Sequence, residues 1–144
     1  MWFDYENIFD QAANITVTRK STKALDLNRA AQDIGEGEEI TIRVAVVTAF
    51  TAVGAATLKI ALVTDDNEAL TSPMVLEDQA VIPVADLILG FEVLIIIPPS
   101  PVMKRWLGLV YTVANGPMTA GAIDAGIVES VQGWKAYPRN YVTV

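Results

Sequence analysis

The sequence contains neither cysteine nor histidine. Without cysteine there is no disulfide framework and no thiolate nucleophile, so packing alone must stabilise the fold. Without histidine the chain lacks the commonest general base and the commonest metal ligand. We therefore expect no metal site, no cofactor and no enzymatic activity.

Other reactive side chains are sparse and poorly placed for catalysis. The serines are Ser21, Ser72, Ser100 and Ser130. None lies in a nucleophile-elbow motif, and no histidine exists to activate one. Asp86 and Glu92 could in principle act as paired carboxylates, but they flank a predicted turn, where acids are usually solvated. We predict no catalytic residue.

Two acidic segments resemble ligand loops only in part. Gly35–Glu39 has two spaced glycines, but its carboxylates would repel phosphate, so we interpret it as a tight turn into a strand. Asp65–Glu68 offers oxygen ligands but lacks the spaced acids and central glycine of a Ca²⁺ loop. Asp and Asn after a strand usually form turns by bonding nearby backbone amides. Both segments are therefore predicted to be plain loops.

Positive charge is missing from one long stretch of the chain. The net charge is −7, and the stretch from Ile60 to Met103 holds seven acids and no base. Nucleic-acid binding depends on neutralising phosphates, so an acidic chain is not expected to bind nucleic acid.

One segment, Ala80–Pro99, is apolar enough to be considered as a membrane span. It is interrupted by Pro83, Asp86 and Glu92. An acid near the centre of a bilayer costs about 2.5–3.5 kcal/mol on insertion scales. Two strands joined by a turn at Asp86–Gly90 fit the sequence better, so we expect a soluble protein without a membrane partner.

Strand signals recur along the chain, whereas long helical patterns do not. Alternation of apolar and polar residues is clearest in Ile40–Val47, Thr57–Thr64 and Arg105–Val113. Val47 follows Val46 and breaks the alternation, as at a β-bulge or a strand end. Further candidate strands are Ile15–Thr18, Lys23–Leu27, Val81–Val84, Phe91–Ile97 and Ala120–Val128.

About eight short strands with Gly, Pro, Asp and Asn turns predict an all-β fold, because each amphipathic strand must bury one face against a second sheet. A single-domain antiparallel jelly-roll β-sandwich is the natural solution, with an immunoglobulin-like sandwich and an up-and-down barrel as alternatives. Within residues 1–144 we predict an N-terminal arm at 1–14, the sandwich at 15–130 and a C-terminal arm at 131–144. Helical spacing is an alternative in residues 2–13, and one helical turn in Leu27–Gln32.

Aromatic residues are concentrated near the two ends of the chain. Chain ends are normally polar and loose, whereas large aromatics contribute much of the energy at interfaces. These residues either cover the chain's own sheet edge or contact another subunit, and we favour the second interpretation. The predicted subunit or capsid contact residues are Trp2, Phe3, Tyr5, Phe9, Trp134, Tyr137 and Tyr141.

A series of short motifs extends over most of the chain in a specific order. They are Ile8–Thr16, Ser21–Thr22, Leu25–Leu27, Gln32–Gly35, Gly37–Glu38, Val47–Thr51, Ala56–Leu58, Thr64–Asn67, Arg105–Leu107, Tyr111–Val113 and Thr119–Gly121. Each motif alone is common, but together, in this order and spacing, they resemble the capsid cement, or decoration, proteins of tailed bacteriophages of the small jelly-roll type.

The resemblance implies a structural virion protein, made in the host cytoplasm and placed on the outer surface of the phage head. There it would bridge subunits of the major capsid protein and form a homo-oligomer, with a dimer favoured and a trimer as the alternative. The family offers no catalytic residues to transfer to this chain. Functional alternatives are a carbohydrate- or receptor-binding β-sandwich and another virion part, such as a tail or head-completion protein.

Overall fold

The computed structural model describes residues 7–27, 41–97 and 103–128. Ten β-strands lie in these ranges, together with a 3₁₀ turn at Val84–Asp86. The strands are β1 (Ile8–Asn14), β2 (Arg19–Lys20), β3 (Leu25–Asp26), β4 (Thr41–Ala52), β5 (Thr57–Asp65), β6 (Met74–Asp78), β7 (Ile82–Pro83), β8 (Glu92–Ile96), β9 (Trp106–Ala114) and β10 (Met118–Val128).

The strands form two antiparallel sheets that pack face to face around one core. The four-stranded sheet has the order β1-β10-β4-β8. The six-stranded sheet has the order β2-β9-β5-β6, and the short strands β3 and β7 pair with β9 and β5 respectively. The chain is therefore a β-sandwich, as its alternating strands predicted.

The strand pairs are nested, as in one long hairpin that has been rolled up. β1 pairs with β10, β2 and β3 pair with β9, β4 pairs with β8, and β5 pairs with β6 and β7. Rolling the hairpin then brings β10 beside β4 and β9 beside β5. Each of the pairs β2 with β3 and β6 with β7 can be regarded as one interrupted strand. The sandwich then has two layers of four strands each, which is the jelly-roll arrangement. The predicted jelly roll is confirmed.

Inward-facing residues of the two sheets make the core. On β5, Leu58, Ile60 and Leu62 are at most 2% exposed, as the alternation in this strand predicted. Leu107 and Leu109 on β9 are fully buried beside them. Burying each such side chain stabilises the fold by about 1.5–3 kcal/mol relative to leaving it in water.

The break in alternation at Val47 is a β-bulge. Ile123 of β10 is opposite Val46, and the next β10 residue, Ala122, is opposite Thr48. Val47 is therefore the extra residue on β4, and the strand continues beyond it to Ala52. The bulge lets the face presented by β4 change without ending the strand.

The sandwich begins earlier than predicted. Residues 8–14 form β1, which pairs with β10, so they belong to the four-stranded sheet and not to an N-terminal arm. The predicted strand Ile15–Thr18 is wrong, since β2 lies just after it, and the predicted strand Lys23–Leu27 is confirmed only at its centre, where β3 lies. The outer strands pair only intermittently, so short-range alternation does not locate them.

β6 was not predicted because a register shift hides its pattern. Leu62 of β5 is opposite Glu77, whereas Val63 is opposite Val75, so Leu76 is an extra residue. The segment therefore lacks a two-residue period. Pairing with β5, rather than local pattern, determines that it is a strand.

The segment considered as a membrane span contains two strands, as predicted. β7 pairs with β5 and β8 pairs with β4, so the Val84–Asp86 turn and the residues after it cross from one sheet to the other. Across the described residues, no helix is long and apolar enough to cross a membrane. The turn predicted at Gly35–Glu39, the helical turn considered after Leu27 and the C-terminal arm lie outside the described residues.

One close approach of backbone to side chain occurs inside the four-stranded sheet. Gly121 on β10 has φ +144, a conformation that side-chain-bearing residues rarely adopt. A Cβ at this position would overlap the ring of Phe50 on β4. The glycine therefore allows both the local backbone conformation and the seating of the buried phenylalanine.

Candidate functional site

The Asp65 loop, residues 65–72, is a turn held by hydrogen bonds to its first residue. Asp65 is 2% exposed, and its carboxylate accepts the N–H of Asp66 at 2.6 Å and the N–H of Ser72 at 2.8 Å. The interpretation of this segment as a loop is confirmed, because the acid bonds nearby backbone amides as the sequence predicted. Within 7–27, 41–97 and 103–128, no three acids are grouped so that they could hold a metal ion.

The hydrogen bonds to Asp65 favour its charged form. The pKa of Asp65 is lowered, and the hydrogen bond from the N–H of Ser72 is the largest cause. Burial acts in the opposite direction and raises the pKa. The N–H groups of Asp66 and Asn67 and the charge of Lys104 lower it further. The ionised carboxylate of Asp65 holds the two ends of the loop together, because it accepts hydrogen bonds from the N–H groups of both Asp66 and Ser72. It is not suited to serve as a general acid.

The Asp65 loop covers the outer face of the six-stranded sheet. Leu70, at φ +50, is 1% exposed and packs with Ala61 and Val63 on that face. The ammonium group of Lys20 donates a hydrogen bond to the carbonyl of Leu70. Gly108 leaves room for the Leu70 side chain, which a Cβ there would overlap. The loop therefore has a structural role.

The pH dependence of stability should report on this loop. Because the folded-state pKa of Asp65 lies below its ordinary value of 3.8, the contribution of its carboxylate to stability is present above that pH and is lost as the pH falls through the folded pKa. We expect Asp65→Asn to be less stable than the wild type at neutral pH, with the difference narrowing in acid. Urea unfolding midpoints across this pH range measure the effect.

The matched control for this measurement is Asp66→Asn. The Asp66 side chain is 72% exposed and makes a surface ion pair with Lys104, and such pairs contribute little. Its pH dependence should therefore follow the wild type. If Asp65→Asn differed from the wild type by the same amount at every pH, the assigned role of the Asp65 carboxylate would be wrong.

A second buried acid connects the two sheets. Asp10 of β1 is 2% exposed and accepts a hydrogen bond from the Tyr111 hydroxyl of β9 at 2.6 Å. Its other oxygen accepts the N–H and the O–H of Thr22 at 2.9 and 2.6 Å. The Arg19 guanidinium lies 3.7 Å from that oxygen. One carboxylate thus joins an edge strand of one sheet to a central strand of the other.

The Asp10 cluster is structural and not catalytic. Burial, followed by the negative charge of Asp10, raises the pKa of Tyr111 well above 10.0, so the phenol keeps its proton and is not a nucleophile. A shallow depression of about 170 Å³ lies beside Asp10, between β1 and the Thr22–Lys23 segment. Both carboxylate oxygens of Asp10 already accept hydrogen bonds from Thr22 or Tyr111, so this acid beside the depression is occupied within the fold.

Of the predicted aromatic contact residues, Phe9 lies in the described part of the chain. Phe9 is 1% exposed and belongs to the hydrophobic core, so its assignment to an interface is wrong. The error arises because β1 is part of the sandwich. The other predicted contact residues, Trp2, Phe3, Tyr5, Trp134, Tyr137 and Tyr141, lie outside the described residues.

The positions from which the two ends continue are adjacent. Ile8 of β1 is opposite Gly126 of β10. The segments before residue 7 and after residue 128 are therefore attached at the same corner of the sandwich.

The acid-rich stretch is partly neutralised by bases from outside it. Three of its acids form surface ion pairs, which are Asp66 with Lys104, Asp78 with Lys59 and Glu92 with Arg43. The asymmetry that the sequence shows is therefore smaller on the folded surface, because pairing across strands brings bases beside these acids.

Apolar side chains are exposed along one edge of the four-stranded sheet. We name this surface the apolar edge, and it consists of Ile88, Leu89, Leu94 and Ile96, which are 61%, 69%, 39% and 50% exposed. The other large hydrophobic residues exposed in the described part of the chain are all valines. This surface could not be identified from the sequence, because the run Phe91–Ile97 is equally typical of a fully buried strand.

Comparison with models of protein families gives a match. A family model with the description Bbp16 matches residues 9–127. This match covers most of the chain and runs from β1 to β10. No curated protein matches the chain.

Proposed function

Because the chain belongs to the Bbp16 family, whose name is associated with phages, we propose that it is a virion protein that decorates the outer surface of a phage capsid. In this role it binds the major capsid protein, bridges neighbouring subunits and stabilises the head. The match extends over the whole jelly roll, so the proposal concerns the sandwich as well as the chain ends.

One observation carries the proposal: the buried polar side chains of the described residues all serve the fold. They are Asp10, Thr64 and Asp65. Thr64 donates its hydroxyl to the carbonyl of Trp106 and accepts the N–H of Lys104. No buried side-chain nitrogen or oxygen in this part of the chain is without a hydrogen bond. A rigid body with committed polar groups and an apolar edge is suited to assembly.

The carbohydrate-binding alternative receives no support from the described aromatics. Such a module needs flat rings exposed on a sheet face or on loops. Phe9, Phe50 and Tyr111 are buried, and Phe91 and Trp106 are half-buried. The Arg105 guanidinium lies 5.3 Å from the centre of the Trp106 ring. No ring among these residues forms an open platform for a sugar.

Co-sedimentation with expanded heads that lack the protein tests the proposal. We expect the full-length chain to bind in many copies per head, since a decoration protein repeats with the icosahedral lattice, and to raise the temperature at which the heads release DNA. A chain that stays in the supernatant, or binds in only a few copies per head, would contradict the proposal. The second result would instead indicate a tail or head-completion protein.

The aromatic ends supply a variant for the same assay. We expect Trp2→Ala combined with Trp134→Ala to weaken head binding at least tenfold, because aromatic residues dominate interface energies. Val53→Ala, in the exposed loop that connects β4 to β5, is the matched control. Unchanged binding of the double variant would show that the chain ends do not contact the capsid. Loss of binding in high salt would instead indicate that the acidic stretch Ile60–Met103 makes the contact.

A further inference from the structure

We propose that β8 is a self-association strand, which pairs antiparallel with β8 of a second copy to join two four-stranded sheets into one continuous sheet. The inference deepens the proposed function, since it names where the homo-oligomer forms. It is tested without capsids, so its failure can be told apart from failure of head binding.

The other sheet edges carry features that discourage pairing with another chain. β1 has register shifts between Ile8 and Asp10 and between Asp10 and Ala13. The β2 and β3 edge is divided into two strands of two residues each. β6 has a register shift and the acids Glu77 and Asp78. Bulges, short strands and charges are the usual protections of an exposed edge.

β8 has one charged residue, Glu92 at its first position, and otherwise lacks these protections. All five of its residues pair with β4 in unbroken register, from Glu92 opposite Ala45 to Ile96 opposite Thr41. The strand contains no base and no proline, and among the described residues no strand pairs with its other side. A regular apolar edge of this kind is a template for strand addition.

The phase of the hydrogen bonds indicates which backbone groups are available. Val46 donates its N–H to the carbonyl of Phe91 at 2.8 Å. Bonded and non-bonded pairs alternate along an antiparallel ladder. Counting from Phe91, the N–H and C=O groups of Glu92, Leu94 and Ile96 therefore point away from β4. These are the groups with which a second strand would pair.

The exposed side chains lie along the same edge. The segment before β8 continues beside β4, since Phe50 donates its N–H to the carbonyl of Leu87 at 2.9 Å. Ile88 and Leu89 lie in the turn that leads into β8, which is closed by a hydrogen bond from the Phe91 N–H to the Ile88 carbonyl at 3.0 Å. Every isoleucine and leucine among the exposed large hydrophobics of the described residues belongs to this apolar edge. Self-pairing would bring Leu94 and Ile96 beside the same strand of the second copy and would remove part of their surface from water.

The edge is self-complementary about a two-fold axis at Leu94. In that arrangement Leu94 faces its own copy as a bonded pair, and Glu92 faces Ile96 of the second copy. The two Glu92 carboxylates are then kept apart, and each is held by Arg43 of its own chain at 2.7 Å. The chain has a net charge of −7, so copies repel least where the charge is neutralised. A closed two-fold dimer results.

A single cysteine at Leu94 would report the pairing directly, because the chain has no other cysteine. Bonded residues across antiparallel strands have Cα atoms about 5.5 Å apart, which a disulfide can span. Under mild oxidation we expect Leu94→Cys to form a covalent dimer rapidly and in high yield. Val75→Cys, at the exposed position of the acidic β6 edge, is the matched control and should cross-link slowly.

A charge at the same position should separate the copies. We expect the wild type to sediment as a dimer, and Leu94→Lys to raise its dissociation constant at least tenfold while keeping the thermal unfolding midpoint of the monomer. Val75→Lys should leave the dimer unchanged. The inference is overturned if the wild type is monomeric at all concentrations, or if Leu94→Cys cross-links no faster than Val75→Cys. The first result would mean that a different partner covers the apolar edge.

Discussion

Gly121→Ala is expected to lower the free energy of unfolding by about 2–5 kcal/mol, as the sum of two terms. The first is backbone strain, since φ +144 at this position is a glycine conformation. The second is overlap between the new methyl group and the ring of Phe50, which is 5% exposed and packed in the core. Equilibrium unfolding in urea, followed by intrinsic fluorescence and by circular dichroism, measures the loss.

Two other glycines separate these terms. Gly54 has φ +108 with no atom within 4 Å of a built Cβ, so Gly54→Ala carries strain without overlap. Gly108 has no positive φ, and a Cβ there would meet the flexible end of Leu70, so Gly108→Ala carries overlap that a rotation can relieve. Both should cost less than Gly121→Ala. Phe50→Ala in the Gly121→Ala background should cost less than Phe50→Ala alone, because the overlap has gone.

Two results would contradict the expected effect of Gly121→Ala. If Gly121→Ala and Gly54→Ala destabilised the chain equally, the contact between β10 and Phe50 would contribute nothing and backbone strain would account for both losses. If Gly121→Ala were neutral, the close approach of these strands would be wrong.

Asp10→Ala is expected to lower the free energy of unfolding by at least about 2 kcal/mol. It leaves the buried Tyr111 hydroxyl without its acceptor and removes the acceptor of both Thr22 donors. Tyr111→Phe removes one hydrogen bond to a charged group and should cost about 1.5–3 kcal/mol. The double variant should cost less than the sum of the two, because each single substitution destroys the same bond.

The cluster also predicts instability in alkali. Because burial and the charge of Asp10 raise the folded-state pKa of Tyr111 above the unfolded value of 10.0, this contribution is fully present below that pH and is lost as the pH rises through the folded pKa. Wild-type stability should therefore fall more steeply than that of Tyr111→Phe above pH 10.0. Parallel pH profiles for the two proteins would rule out a buried neutral phenol.

Thr22→Val is the control for the cluster as a whole. It removes the hydroxyl that bonds Asp10 but keeps the backbone N–H bond and the Tyr111 bond. We expect a smaller loss than for Asp10→Ala and an unchanged alkaline transition. A Thr22→Val loss as large as that of Asp10→Ala would place the main stabilising bond at Thr22 and not at Tyr111.

The central strands could be predicted from the sequence because their pattern is local. β5 and β9 alternate cleanly, and Val47 marks the bulge of β4 by breaking the alternation. β1 and β6 could not be located in this way, since register shifts interrupt their periods. Phe9 shows the consequence, because aromatic clustering in the sequence assigned it to an interface while pairing with β10 places it in the core.

The functional surface was less predictable than the fold for a related reason. The run Phe91–Ile97 shows that a strand is apolar, but its position at a sheet edge depends on the order in which distant strands pair. Asp10 is similar, since its partners Thr22 and Tyr111 lie 12 and 101 residues away. A local pattern cannot identify a buried acid whose donors are brought to it only by the completed fold.

The nested pairing has a consequence for how the protein is made. The first described strand pairs with the last, so the four-stranded sheet cannot close until residues near 126 have left the ribosome. Chains dominated by such distant contacts fold slowly, because the entropy of closing long loops is lost before the contacts form. The four-stranded sheet is therefore expected to be completed late in synthesis, after the pairs β4–β8 and β5–β6 can already form. Because β1 waits for β10, the yield in a cell should depend on chaperones and temperature as well as on equilibrium stability.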